Sequence, residues 1–182
     1  MTESTSGASI YDASAAAFSV VTLPFSLSAR DYRIAKQRCQ LVLRLETGAP
    51  FSGAIFAHPS IHRPTGFEEP TDVLNGSEPF FPMELEDGQV ILVAKDRVVE
   101  VWGLEEHDDD ELRRTSARSA TLEITMADGV VRTGTVLLEM PEDRPRIVDF
   151  LNNLRDRFLS LQSADGIRLI NRALIDHVRP LD

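Results

Sequence analysis

Two stretches of this chain repeat each other, and that repeat limits the possible folds more than any other feature. Residues 41–55 (LVLRLETGAPFSGAI) align without a gap on residues 122–136 (LEITMADGVVRTGTV). Leu41, Leu43 and Leu45 fall on Leu122, Ile124 and Met126. Gly48 falls on Gly129, Gly53 on Gly134, and Ile55 on Val136. After a short difference in length the match resumes. Asp72-Val-Leu-Asn75 meets Asp149-Phe-Leu-Asn152, Phe80 meets Phe158, and Asp87-Gly88 meets Asp165-Gly166. Leu92-Val93 then meets Leu169-Ile170, and Val98 and Val101 meet Ile175 and Val178. Extra residues in the first copy, at 58–70, are rich in His, Pro and Gly and read as a longer loop. Glycines, alternation and the D-x-L-N tetrad keep one order, which marks a duplication. Copies of about 60–65 residues are marginal alone, so they are expected to pack on each other or on further subunits.

Each copy reads as strand-rich. The leading apolar residues alternate with polar ones, the period of a half-buried strand. Asp128-Gly129 signals a tight turn, and Thr47-Gly48 a weaker one at the same place. Gly53 and Gly134 fall inside the next strand, where glycine marks a sharp bend or bulge. In 144–154, Ile147, Phe150, Leu151 and Leu154 take helical spacing and predict one short helix. Strands follow at 158–161, 168–170 and 175–178, with Asp165-Gly166 as a turn and Asn171-Arg172 as a bend. The order is two strands, a short helix, then three strands. The expected class is mainly β: two tandem five-stranded SH3-like or Sm-like barrels, each with a short inserted helix.

The rest of the chain frames the two copies. Residues 1–27 are rich in Ser, Ala and Thr and read as a mostly disordered tail, with an extra strand possible at 18–27. Residues 28–38 read as a leading helix with Ser28 as N-cap, so the first copy spans 28–104. The acidic, polar stretch 105–120 reads as a linker, and the second copy spans 121–182. The net charge is −10, which disfavours phosphate backbones and anionic membranes. No apolar run is long enough for a membrane span, and the N-terminus lacks a basic leader, so the expected location is cytoplasmic. The one cysteine, Cys39, has no intramolecular disulfide partner and reads as a small buried hydrophobe.

Two short motifs resemble those of the Sm-like proteins, including bacterial RNA chaperones. The first is Leu122, Ile124, Met126, Gly129, Gly134 and Val136. The second is Leu169-Ile170-Asn171-Arg172 followed by Ile175 and Val178. The chain also resembles bacterial domains of unknown function with a DG…G…DFLN…LIN…I..V pattern. It departs from the Sm pattern in its D-x-L-N segments and its acidic charge. The resemblance covers most of each copy and implies a small-barrel fold. It also implies a nucleotide pocket formed by Asp149, Asn152, Asn171 and Arg172, with Asp72, Asn75 and Lys95 as the first copy's counterparts. The residues alone equally support structural roles: Asp149 as a turn cap and Asn152 as a helix terminator.

Other chemistry finds no foothold. There is no G-x-S-x-G elbow, no glycine-rich phosphate loop and no dinucleotide fingerprint. His58 and His62 have helical spacing, but Pro59 and Pro64 oppose a helix there. The acidic run 107–111 lacks the alternation of a calcium loop. No enzyme activity, cofactor or metal is expected. Phe80-Phe81-Pro82, Phe158-Leu159 and Trp102 read as core, or as an edge that packs on another surface. The expected function is a non-enzymatic scaffold or protein-interaction module. Its partner would be another protein, or a second copy joined through barrel edge strands. The alternative is an Sm-like RNA or nucleotide binder, disfavoured by the acidic charge.

Overall fold

A computed structural model describes residues 36–63, 65–104, 118–138 and 146–181. The first copy contributes β1 (Gln37–Leu45), β2 (Phe51–Ala57), helix α1 (Pro70–Asn75), β3 (Phe80–Leu85), β4 (Val90–Ala94) and β5 (Val98–Trp102). The second contributes β6 (Arg118–Met126), β7 (Val131–Leu138), helix α2 (Ile147–Asn153), β8 (Phe158–Ser163), β9 (Gly166–Asn171) and β10 (Ile175–Pro180). In each copy a single 3₁₀ turn, Lys95–Arg97 or Arg172–Leu174, precedes the last strand. The molecule is mainly β, with two short helices at the D-x-L-N tetrads. The α1 start is fixed locally, by Pro70 in the first turn and by the Glu69 N–H donating to Asp72 Oδ2 at 2.9 Å.

All ten strands join one antiparallel sheet in the order β10-β6-β7-β8-β9-β5-β1-β2-β3-β4. Both halves therefore use the same strand order, and their registers coincide. Leu41 pairs with Gly53 as Leu122 pairs with Gly134. Pro82 pairs with Leu92 as Ser160 pairs with Leu169. The register shift between Arg44 and Leu45, opposite β5, recurs between Ile175 and His177, opposite β6. Two separately closed barrels were expected, but the hydrogen-bonded sheet does not close. β5 pairs with β9 of the other half, through Glu100↔Ile170 and Val101↔Leu169, and β4 and β10 are left as the outer strands.

The bend glycines have a steric basis. A Cβ on Gly53 would lie 2.5 Å from the Glu84 carbonyl oxygen, and one on Gly134 would lie 2.4 Å from that of Gln162. Only glycine lets neighbouring strands cross this closely.

Two apolar clusters fill the interior, and they exchange residues between the halves. Phe158 and Leu169 of the second half belong to the first cluster, with Leu43, Ile55 and Met83. Val99 of the first half belongs to the second, with Leu122, Ile124 and Leu161.

Two boundaries differ from expectation. Gln37 and Arg38 lie in β1, paired with Ala57 and Phe56, so the leading helix does not reach 38. Strand β6 starts at Arg118, inside the expected linker 105–120, because Ala120 is buried and extends the alternation upstream. The N-terminal tail, the possible strand at 18–27, the leading helix over 28–35 and the linker over 105–117 lie outside the described residues.

Candidate functional site

The β5–β9 junction holds a buried carboxylate among three arginines. Glu100 is the central residue of β5 (VVEVW), and its side chain is 1% exposed. Its Oε1 accepts from Arg44 Nε at 2.9 Å and from Arg132 Nη2 at 2.7 Å. Its Oε2 accepts from Arg132 Nε at 2.8 Å, and Arg168 Nη1 lies at 3.4 Å. Arg44 also pairs with Asp128, on the second half's first turn. Burial pushes the Glu100 carboxyl up, but hydrogen bonds and charge from Arg132 and Arg44 outweigh it and hold it below the ordinary value. The Arg168 guanidinium also stacks 5.0 Å from the Trp102 ring centre. Glu100, Arg44 and Trp102 come from one half, and Arg132, Arg168 and Asp128 from the other.

Several residues singled out from sequence lie at this same junction, bonded to the chain itself. Asn171 is fully buried. Its Nδ2 donates to the Val98 carbonyl at 2.7 Å, and its Oδ1 accepts from the Ala173 N–H at 3.1 Å. Asn75 Oδ1 accepts from the Phe158 N–H at 2.9 Å, tying α1 to β8. Lys95 is buried and donates to the carbonyls of Val73 (2.6 Å) and Gly76 (2.9 Å) at the end of α1. Its burial, followed by the Arg157 charge, lowers its pKa. Asp72 pairs with Arg63, which also reaches Glu69 at 3.1 Å.

In the second half the set is more dispersed. Asp149 and Asn152 are exposed on α2, and Arg172 is half-buried in the 3₁₀ turn. Among the described residues no hydrogen bond or ion pair joins Asp149 or Asn152 to Asn171 or Arg172.

Beside the junction lies a cleft of about 590 Å³ between α1, β7 and β8. Asp72, Asn75 and Arg63 line one side, and Thr135, Ser160 and Gln162 line the other. Among the described residues no group of three or more His, Cys, Asp or Glu side chains could hold a metal ion. No helix among them is long and apolar enough to cross a membrane.

The third feature is the outer strand β4. Val90 is 60% exposed and Leu92 72%, and Phe80 on the adjoining β3 is 55% exposed. Edge strands in stable folds are usually blunted by charge or proline. The β4 run VILVA carries neither.

The sequence reading missed Glu100 and its arginines. The available signal was one carboxylate inside an otherwise apolar strand. Comparison with protein-family models, curated proteins and solved structures finds no match.

Proposed function

We propose that this chain is a non-enzymatic interaction module whose working surface is the open β4 edge, bound by a protein partner through strand addition. Each half is a small five-stranded barrel unit of the SH3-like or Sm-like kind. The shared strand order and the tight crossings at Gly53 and Gly134 support that. The exposed apolar row Phe80, Val90 and Leu92 carries the functional reading, because contiguous apolar surface on the outer strand of the described sheet marks a docking site.

RNA or nucleotide binding is the second reading. It rests on exposed Asp149 and Asn152 with Arg172, and the acidic net charge opposes it. A photo-crosslinking residue at position 90, in the cell of origin, tests the first reading. A discrete protein adduct is expected, and Leu92→Lys should abolish it. The reading fails if the adducts are nucleic acid, or if no protein adduct forms.

A further inference from the structure

The internal junction shows what an edge of the β4 type binds. By register, Phe80, Val90 and Leu92 of β3–β4 correspond to Phe158, Ile167 and Leu169 of β8–β9. The first trio is exposed, whereas Phe158 and Leu169 are 2% and 1% exposed. They are buried because β5 pairs along β9 and the first half's core closes over them. The counterpart of β5 is β10, and β10 is the other outer strand. Every residue of β5 is buried or half-buried, while Asp176, His177, Arg179 and Pro180 of β10 are exposed. Among the described residues β4 and β10 each pair with one strand only, so both kinds of edge that join internally also stand at the two ends of the sheet.

We infer that the occupant of the β4 edge is a second copy of this chain, docked head to tail through its β10. This rests on the edge-binding reading above and names its partner. The internal registers carry over directly. His177 of one chain stands opposite Val93 of the next, and Val178 opposite Leu92, as Glu100 and Val101 stand opposite Ile170 and Leu169. Asn152, the counterpart of Asn75, accepts from the next chain's Phe80 N–H, as Asn75 accepts from Phe158.

The outer joint differs from the inner one in charge. His177 replaces Glu100, Ile91 replaces Arg168, Phe51 replaces Arg132 and Thr125 replaces Arg44. Asp176 stands where Val99 is buried. Without the carboxylate–guanidinium set, and with a carboxylate at its margin, the outer joint is weaker than the inner one and depends on concentration. The same difference stops the inner and outer edges from exchanging partners.

The test is light-scattering mass of the full chain from about 1 to 200 µM, a range that covers a micromolar joint. Wild type should rise above one chain mass (20.2 kDa) as concentration increases. Leu92→Lys breaks one edge, and His177→Glu or Asn152→Lys breaks the other. All three residues are exposed, so the fold is retained, and each variant should run as a single chain. An equimolar mixture of Leu92→Lys and His177→Glu keeps one good joint and should form a dimer. Adding Ile91→Arg to His177→Glu recreates the inner Glu100–Arg168 pairing and should restore assembly.

A wild type that stays a single chain throughout overturns the inference. So does association lost with Leu92→Lys but unaffected by both β10-side variants, which would mean that two β4 edges pair back to back. If wild type is a single chain yet Leu92→Lys abolishes the adduct at position 90, the edge binds another protein. The edge-binding reading then stands and this inference alone fails.

Discussion

Glu100→Gln isolates the charge of the junction with little change in volume. The carboxylate accepts three hydrogen bonds of 2.9 Å or less from Arg44 and Arg132, and its side chain is 1% exposed. In the variant, one carbonyl oxygen remains to accept, and the amide nitrogen turns donors toward guanidinium donors. Removing one partner of a buried ion pair costs about 3–5 kcal/mol, mostly through the charge left behind. Here Arg44, Arg168 and Arg132 are 13%, 15% and 30% exposed, so water recovers part of their solvation. The lower end, about 3 kcal/mol, therefore applies. For a chain of this size, that lowers the melting temperature by roughly 6–12 °C. Urea unfolding followed by circular dichroism gives the free energy, and hydrogen exchange should show the loss first in β5 and β9. Glu123→Gln is the control: its partner Arg179 is 65% exposed, and a surface pair of this kind contributes about 0–1 kcal/mol. If Glu100→Gln falls within about 1 kcal/mol of wild type, as that surface control does, the reasoning about the buried carboxylate is wrong.

The Glu100 carboxyl is held below its ordinary value of 4.5, so its stabilisation is complete above that pH and is lost as pH falls through the lower, folded-state value. Stability measured from pH 7 down to about pH 3 should therefore fall more steeply for wild type than for Glu100→Gln, and parallel curves would contradict this. Gly134→Ala drives a methyl to 2.4 Å from the Gln162 carbonyl, and Gly53→Ala does the same against Glu84. Each should cost about 1–3 kcal/mol by forcing strand separation, read as a lower urea midpoint. Gly129→Ala meets no atom within 4 Å but strains a φ of 82°, so its cost should come without any change at the strand crossing.

The elements within each half were legible because their signals are local. Alternation from Leu41 to Leu45 and from Leu122 to Met126 exposed β1 and β6, and the glycines at 53 and 134 marked the crossings. The helical spacing of Ile147, Phe150 and Leu151 located α2. The sequence could not show what stands across each outer strand. Leu92 and Leu169 occupy equivalent places in similar apolar runs, yet one is 72% exposed and the other 1%. That difference comes from the pairing of Leu169 with Val101, 68 residues away in sequence, in one case, and from a place on the outer strand of the described sheet in the other. Glu100 was missed for the same reason, since two of its three arginines lie in the other half. Asn75, Asn171 and Lys95 stood out from a resemblance to nucleotide pockets, and their described bonds run to this chain's own backbone.

The exchange of Phe158, Leu169 and Val99 across the midline has a consequence for how the protein can be cut. A chain that reads as two modules in sequence is indivisible in its interior. Each half excised alone would carry a hole where its neighbour's side chains belong, and bare the ones it normally lends. The gene can be split at the midpoint far more easily than the cooperative unit it encodes.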